Sequence, residues 1–465
     1  MDKHENPYSQ LASSQRRFFA TGTTLSIAYR LTQLKKLRRL LKSHEDDIKA
    51  ALFADLHKSP QEAVMSEIML VIEELSYIIK HLRSWAKTKR TITPFPALWP
   101  GKSIIRHEPY GCTLIISPWN YPYMITLSPL IGAMCAGNCA LVKPSEYSSH
   151  TTNVIANIIN QNFAAEYIHV ISADAIETAE LLKNKFDYIF YTGSTAVGKI
   201  IMQTAAQHLT PVTLELGGKS PCIIDNMINF DFAARRIVWA KTLNAGQTCI
   251  APDYLYVHES CKKEFIEKLK YVITQFYSAD PQHSNSYARI INQKHFDRLC
   301  HLMKNTNIIF GGQTNAETRY IAPTIIDNVT WNDPIMQEEI FGPLLPIMTF
   351  KNLDDVIEQI KQQDKPLALY AFTNNQDNER KILKNISFGG GCINDCIMQI
   401  TNVHLPFGGV GASGIGNYHG KYSFETFSHK KAIYKKTLPL DFKLEYPPYS
   451  NKKLSWLRKL FQLSF

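Results

Sequence analysis

No run of about eighteen apolar residues, the length a membrane-spanning helix needs, occurs among the 465 positions of this chain. A spanning helix is therefore excluded from the expected fold. The opening residues, Met1-Asp2-Lys3-His4-Glu5-Asn6-Pro7, have no apolar core behind a basic segment, so no secretory signal is expected. Cysteine is sparse: nine in so long a chain, with no dense repeating framework, argue for reduced thiols and a cytoplasmic setting. Cys135 and Cys139 stand four apart, as do Cys392 and Cys396, a spacing that on a helix would set two sulfurs on one face. Neither pair has a histidine cluster to complete a ligand set, and no metal is expected. Internal repeats and low-complexity linkers are absent as well. A formal charge of +10 suits an anionic partner such as a nucleotide, a nucleic acid or a lipid surface. The basic residues are spread out, however, and cluster only at Lys35-Lys36 with Arg38-Arg39, from Lys80 to Arg90, and in the C-terminal tail. A solvated basic surface is the plainer reading, and no nucleic-acid partner is expected.

What is present is ordinary globular material, 45% hydrophobic and 20% charged, in a chain too long for a single core. Apolar residues recur at helical spacing from Leu31 to Leu56, and Pro60 opens a second helix with a stripe of Ile68, Ile72, Leu75, Ile79 and Leu82. Prolines 94, 96 and 100, with Pro109 just after, break the pattern between Thr91 and Glu108. From Gly111 onward short apolar runs alternate with helical stretches: Cys112 to Ile116, Cys139 to Val142, Tyr167 to Ile171 and Tyr188 to Tyr191. That alternation predicts an α/β fold with a parallel, doubly wound sheet, whose ligands bind beyond the carboxyl ends of the strands.

Each of these strand ends carries suggestive chemistry. Ser117-Pro118-Trp119-Asn120-Tyr121-Pro122 follows the first; Asn120 can offer an amide N–H to a developing oxyanion, although asparagine in a loop is also a turn former. Lys143 and Glu146 follow the second and suit ribose hydroxyls or, equally, a surface ion pair. Gly193-Ser194-Thr195-Ala196-Val197-Gly198, ahead of the helical run Lys199 to Leu209, suits phosphate at a helix start and equally caps a helix with no ligand. Gly409-Val410-Gly411-Ala412-Ser413-Gly414 fits a dinucleotide-binding expression but opens no βαβ unit, and is read as a flexible wall loop. Cys249, in Asn244-Ala245-Gly246-Gln247-Thr248-Cys249, needs a lowered pKa to act as a nucleophile; Ala245 and Gly246 leave room for a substrate beside it.

Taken in order, Pro118 to Pro122, Lys143 to Glu146, Gly193 to Gly198, Glu215-Leu216-Gly217-Gly218, Gly246 to Cys249, Glu339-Ile340-Phe341-Gly342-Pro343 and Pro406 to Gly409 resemble the aldehyde dehydrogenase superfamily. Ile250 to Tyr254, Ser423 to Lys430 and Tyr446 to Tyr449 are similar to its class 3 and fatty aldehyde branch. The resemblance implies a Rossmann-type nucleotide-binding domain over 1–90 and 108–211 and a catalytic domain over 212–408. It also implies an oligomerisation arm over 91–107 and 426–440, and a tail over 441–465. The implied reaction oxidises a medium or long aliphatic, or aromatic, aldehyde to its acid, in a homodimer. NAD is the expected cofactor, with NADP possible, because Glu146 repels a 2′-phosphate. Cys249 would attack the aldehyde, Asn120 and the Cys249 N–H would hold the oxyanion, and Glu215 would activate the water that hydrolyses the thioester. Lys143 and Glu339 are implied at the cofactor riboses, Gly193 to Gly198 near the pyrophosphate, and Phe341 beside the nicotinamide.

The tail is read separately. A helix from Lys452 to Phe465 would gather Trp456, Leu457, Leu460, Phe461, Leu463 and Phe465 on one side and Arg458, Lys459 and Gln462 on the other. It suits peripheral contact with an anionic membrane, or packing on protein, the favoured alternative.

Overall fold

The computed structural model describes residues 8–94, 98, 100–436 and 443–462. Strands β1 (Lys89–Thr91) and β2 (Gly101–Pro109) form an antiparallel sheet with β18 (Ser428–Lys436), in which β2 and β18 pair along their full nine residues. Between them lie two larger sheets. In the first, β3 (Cys112–Ile116), β4 (Cys139–Lys143), β5 (Ile168–Val170), β6 (Tyr188–Thr192) and β7 (Val212–Glu215) run parallel in the order β7-β6-β3-β4-β5. The second takes β8 (Pro221–Ile224), β9 (Tyr254–His258) and β10 (Asn307–Phe310), then, after a two-stranded hairpin of β11 (Thr314–Asn315) and β12 (Tyr320–Ile321), β13 (Thr324–Asp327), β14 (Leu344–Phe350), β15 (Ala368–Phe372) and β16 (Gly390–Ile393). Its order is β10-β13-β14-β9-β8-β15-β16, antiparallel only where β10 meets β13.

Alternate residues of β3 explain why it reads as an unbroken apolar run. Leu114 and Ile116 face one core with Leu141, Ile189 and Leu214, while Ile115 faces another with Val142 and Phe190. A strand covered on both faces has no polar side to show. The helix Met124–Ala136 is likewise buried at every position, as a helix apolar all round must be. The chain passes from β3 to β4 and β5 on one side and returns to β6 on the other. The strand order therefore reverses beside β3, and a crevice opens at the carboxyl ends of β3 and β6.

Several expectations are corrected. The helical pattern from Leu31 to Leu56 is two helices, Ile27–Ser43 and Glu45–Leu56, because His44 leaves the helical backbone and Glu45, Asp46 and Asp47 start a new N-terminus. In the second pattern the fully buried line is Ile68, Val71, Leu75, Ile78 and Leu82, with Ile72 and Ile79 only flanking it. That helix also contains a wide turn, Val64–Ile68, in which the Met69 N–H reaches the Val64 carbonyl. Cys135 ends a helix and Cys139 begins β4, while Cys392 lies in β16 and Cys396 beyond it, so neither pair shares a helix face. Gly409 to Gly414 is not a free loop: β17 (Gly414–Ile415) pairs antiparallel with β7, and the Ser413 carbonyl accepts from Leu216 N at 3.1 Å. Strand β7, placed after the expected boundary at 211/212, belongs to the first sheet.

The tail helix spans Asn451–Gln462, and none of its described side chains is buried; Leu454 is 46% and Trp456 56% exposed. Leu463 and Phe465 lie outside the described residues, as does the side chain of Phe461. No helix among the described residues is long and apolar enough to cross a membrane.

Candidate active site

A cleft of about 1500 Å³ runs between the two large sheets, and Asn120, Glu146, Gly193, Ser194, Glu215, Cys249, Glu339 and Phe341 all line it. The thiol loop is built on an unusual backbone. Asn244 (φ 52°), Ala245 (φ 51°) and Gly246 (φ +75°) are successive left-handed residues, which L side chains rarely adopt. A Cβ on Gly246 would stand 2.3 Å from the Gly342 carbonyl oxygen. Its smallness therefore serves backbone packing against the Glu339–Pro343 segment, rather than room for substrate as the sequence suggested.

Side-chain amides hold this turn. Asn244 N donates to Glu62 Oε1 at 2.7 Å, and Asn244 Nδ2 donates to the Asn120 carbonyl at 2.7 Å. Buried Gln247 donates to the carbonyls of Asn244 and Arg289 and accepts from Ile291 N at 3.0 Å. Each fixes a chain segment that would otherwise bury an unpaired polar group.

Asn120 is buried beside this loop. Its Nδ2 donates one proton to the Gln247 carbonyl at 3.0 Å, which leaves the second for a ligand. Next to it the Tyr121 hydroxyl meets Thr248 Oγ1 at 2.6 Å, tying the Asn120 loop to the residue before Cys249.

Glu215 ends β7, and neither of its carboxylate oxygens meets a donor among the described residues. Burial pushes its pKa well above the usual carboxylate range. Glu339 is raised to about 8, by burial first and by Asp253 second. The Cys249 thiol is raised as well, by burial and then by Glu339 and Glu215. The backbone N–H groups of Cys249 and Ile250 pull the other way but are outweighed, so the net shift is upward, contrary to the lowered pKa that a nucleophilic cysteine was expected to have.

The opposite wall is aromatic. The Trp119 ring meets Phe341 edge-on at 5.4 Å and His295 at 4.9 Å. His295 is held neutral, its pKa lowered to about 4 by burial and then by Arg298 and Lys294. Two further residues pin the segment that carries Glu339 and Phe341: Arg298 donates to the carbonyls of Glu339 and Ile340, and Lys219, paired with Asp253 at 2.5 Å, donates to that of Glu338.

The remaining predicted positions divide. Glu146 lines the cleft, while Lys143 stands behind it, its side chain only 7% exposed and 2.9 Å from Glu146. The two residues form an ion pair, one end of which faces the cleft. Ser194 caps the helix Thr195–Ala206 through Val197 N, so the helix begins four residues earlier than the periodicity indicated. Thr195 turns toward the Ala412 carbonyl, and a Cβ on Gly198 would stand 2.6 Å from Leu216, so these two serve the helix and its packing.

A dinucleotide fits these residues. The N-terminus of Thr195–Ala206 opens on the cleft, as phosphate requires, and the buried Thr192 hydroxyl beside it has no partner among the described residues.

The model of the aldehyde dehydrogenase family matches residues 6–433. The chain belongs to the aldehyde dehydrogenase family. It is 47% identical over 449 residues to the 4,4′-diaponeurosporen-aldehyde dehydrogenase of Staphylococcus aureus, covering 96% of this chain and 98% of that one. It is 46% identical to the dimeric NADP-preferring aldehyde dehydrogenase of Canis lupus familiaris, covering 95% and 97%. The solved substrate-bound state of Staphylococcus aureus AldH superposes with a TM-score of 0.95 at 47% identity, over 97% of this chain and 99% of that one. The protein is an aldehyde dehydrogenase, an oxidoreductase that converts aldehyde to carboxylic acid with NAD or NADP.

Sequence reading missed Gln247, Asp253, His295 and Arg298 in this dehydrogenase. Gln247 and Asp253 lay inside quoted motifs, whereas nothing local marked His295 or Arg298.

The raised Glu215 has a sign that can be tested. Its folded pKa lies above the unfolded value near 4.5, so the folded chain binds the extra proton, and stability falls as pH rises above about 4.5. Glu215→Gln removes that loss. Its melting temperature is expected to match wild type near pH 4 and to exceed it increasingly from pH 5 to pH 8, as scanning calorimetry across pH would read. Equal melting at pH 8 would contradict a carboxyl with a raised pKa.

Proposed function

We propose that this dehydrogenase oxidises aldehydes with medium or long apolar, or aromatic, tails, with Cys249 as nucleophile, Asn120 as oxyanion donor and Glu215 as general base. The observation that carries the reading is the convergence of these three side chains in one cleft whose outer part is apolar, with Met65, Met69, Trp239 and Met398. Methionine side chains adapt to extended tails of varied shape.

Cys249 attacks the aldehyde carbon and gives a tetrahedral adduct. Its oxyanion is held by the free Asn120 proton and the Cys249 backbone N–H. Losing one such donor typically costs about 3 to 4 kcal/mol. A nicotinamide dinucleotide, with Phe341 beside its nicotinamide, would supply the hydride acceptor and a positive charge. Lys143, Glu146 and Glu339 would hold its ribose hydroxyls, and Gly193 and Ser194 its phosphates. The acyl group left on Cys249 is released by water, and Glu215, free of hydrogen-bond partners, takes the proton. That free carboxylate favours water over coenzyme A as acceptor.

A series of straight-chain aldehydes tests both halves of the proposal. Wild-type kcat/KM is expected to rise with chain length, and Cys249→Ala to be inactive on every member while still binding cofactor. Glu215→Gln is expected to give a burst of reduced cofactor and then stall with a thioester visible by mass spectrometry. Activity of Cys249→Ala above a few per cent, or a Glu215→Gln enzyme with neither slow turnover nor trapped acyl group, would reject the assignments.

NAD is the proposed preferred cofactor, since the Glu146 carboxylate on the cleft wall repels a 2′-phosphate; NADP use is expected but weaker. Calorimetric titration that finds NADP bound more tightly would overturn this.

The proposed assembly is a homodimer. Support comes from the dimeric name of the Canis lupus familiaris relative. The setting proposed is cytoplasmic, with peripheral contact between the exposed tail helix and an anionic membrane. Deleting residues 452–465 is expected to lower sedimentation with anionic vesicles and leave kcat on a soluble aldehyde unchanged. Undiminished sedimentation, or loss of the dimer, would assign the tail to packing.

A further inference from the structure

Lys58 is fully buried, and its Nζ lies 2.5 Å from Glu67 Oε1 on a side chain that is also fully buried. Withdrawing two charges from water costs several kcal/mol per ion, and apolar residues of like volume often hold a core as well. Stability of the fold alone therefore does not account for this pair.

What the pair touches is informative. Lys58 Nζ donates to the Asn120 carbonyl at 3.0 Å and stands 3.9 Å over the centre of the Tyr121 ring. Glu67 Oε2 accepts from Tyr123 N at 2.9 Å and Met124 N at 3.1 Å. Residues 120 to 124 are the loop that carries Asn120 and the first turn of the helix behind it. Both charges of the pair are thus spent on one short segment.

Local chain geometry delivers them there. Ser59 caps the helix that Pro60 begins, and the wide turn Val64–Ile68 follows at once. On a regular α-helix, residues five apart point about 140° from each other. A turn closed five residues apart brings such positions toward one side. Glu62 and Glu67 accordingly serve the same region, for Glu62 accepts from Asn244 N, and Asn244 donates to the same Asn120 carbonyl as Lys58 does. With its carbonyl gripped from two directions and Nδ2 tied to the Gln247 carbonyl, Asn120 has neither a free peptide nor a free rotamer.

We propose that Lys58 and Glu67 are positioning residues for the Asn120 amide, which keep its second proton aimed at the oxyanion site before substrate arrives. The proposal rests on the reading of Asn120 as the oxyanion donor. Neither Lys58 nor Glu67 touches the reacting atoms; both act through the peptide of Asn120.

The test is a cycle of four full-length enzymes: wild type, Lys58→Met/Glu67→Gln, Asn120→Ala, and the triple variant. Lys58→Met alone would strand a buried carboxylate and risk the fold. The neutral pair avoids this and keeps an acceptor for the Tyr123 and Met124 N–H groups. The readout is the rate of the first-turnover burst of reduced cofactor, alongside the cofactor dissociation constant and circular dichroism. Lys58→Met/Glu67→Gln is expected to slow the burst about 10- to 100-fold, the range that misplacing a catalytic group costs, with cofactor binding unchanged. In the Asn120→Ala background the same two changes are expected to alter the burst less than about twofold, because residues that act through one group are not additive. A merely structural role would lower both backgrounds alike, and that result, or a wild-type burst in the double variant, would overturn the proposal. If the double variant does not fold, Glu67→Asp, which keeps both charges and shortens the reach to the Tyr123 and Met124 N–H groups, enters the same cycle and is judged by the same comparison. A wild-type burst in Asn120→Ala alone would remove the donor reading itself and the proposal with it, an outcome recognisable from that single variant.

Discussion

The left-handed turn at Asn244, Ala245 and Gly246 is the constraint on which the rest of the site depends. A non-glycine residue in this conformation costs about 1 to 2 kcal/mol, so the turn persists only because its surroundings hold it. Those surroundings come from all over the chain: Glu62 from the N-terminal helices, Asn120 from the loop after β3, Gly342 from the segment after β13, and Arg289 and Ile291 from the stretch before the helix Gln293–Leu302. The thiol loop is thus the place where the two large sheets are joined by hydrogen bonds. Its strain is set against at least five side-chain bonds, each worth about 1 kcal/mol. Asn244 and Ala245 together cost about 2 to 4 kcal/mol, so the bonds cover the strain with little to spare.

Charge in the cleft follows a different logic. Glu215 and Glu339 both approach Cys249, and burial raises all three pKa values. An unpaired charge on any of the three would, in that low-dielectric setting, cost several kcal/mol. Where the protein places fixed charges they are paired and turned to the backbone: Lys58 with Glu67, and Lys219 with Asp253. Paired charges hold the scaffold, while burial weighs against charge on Glu215, Glu339 and Cys249.

That division also explains what could be read from the sequence. The first sheet was legible because strands covered on both faces become continuous apolar runs, and Cys112 to Ile116 is one. Asn120, Glu146, Gly193, Ser194, Glu215, Cys249, Glu339 and Phe341 were legible because each lies in a short motif at a strand end or tight turn, where local geometry restricts residue choice. Thr195 and Gly198 share the motif of Gly193 and Ser194 but do not line the cleft: one turns toward the Ala412 carbonyl and the other packs on Leu216. Lys58, Glu67 and Arg298 were not legible at all. Glu67 and Arg298 sit on helices and Lys58 in the short connection between two, and a charged residue in such surroundings looks solvated until a distant segment is seen to meet it. The kink at His44 and the wide turn before Met69 were hidden for a related reason, because apolar spacing continues across both.

The cost of that wide turn indicates what it is for. A regular helix from Pro60 to Trp85 would keep every i to i−4 hydrogen bond. The extra residue instead brings Glu62 and Glu67 to bear together on the Asn120–Asn244 junction, through Asn244 N on one side and Lys58 on the other. A local loss of helical regularity in the N-terminal segment is therefore tied to the left-handed turn beside Cys249, some 180 residues later, through a single shared acceptor, the carbonyl of Asn120. Two irregular pieces of backbone, each unfavourable alone, stabilise one another only when both sheets are assembled. The site's geometry is in that sense a product of the whole fold and of no single motif.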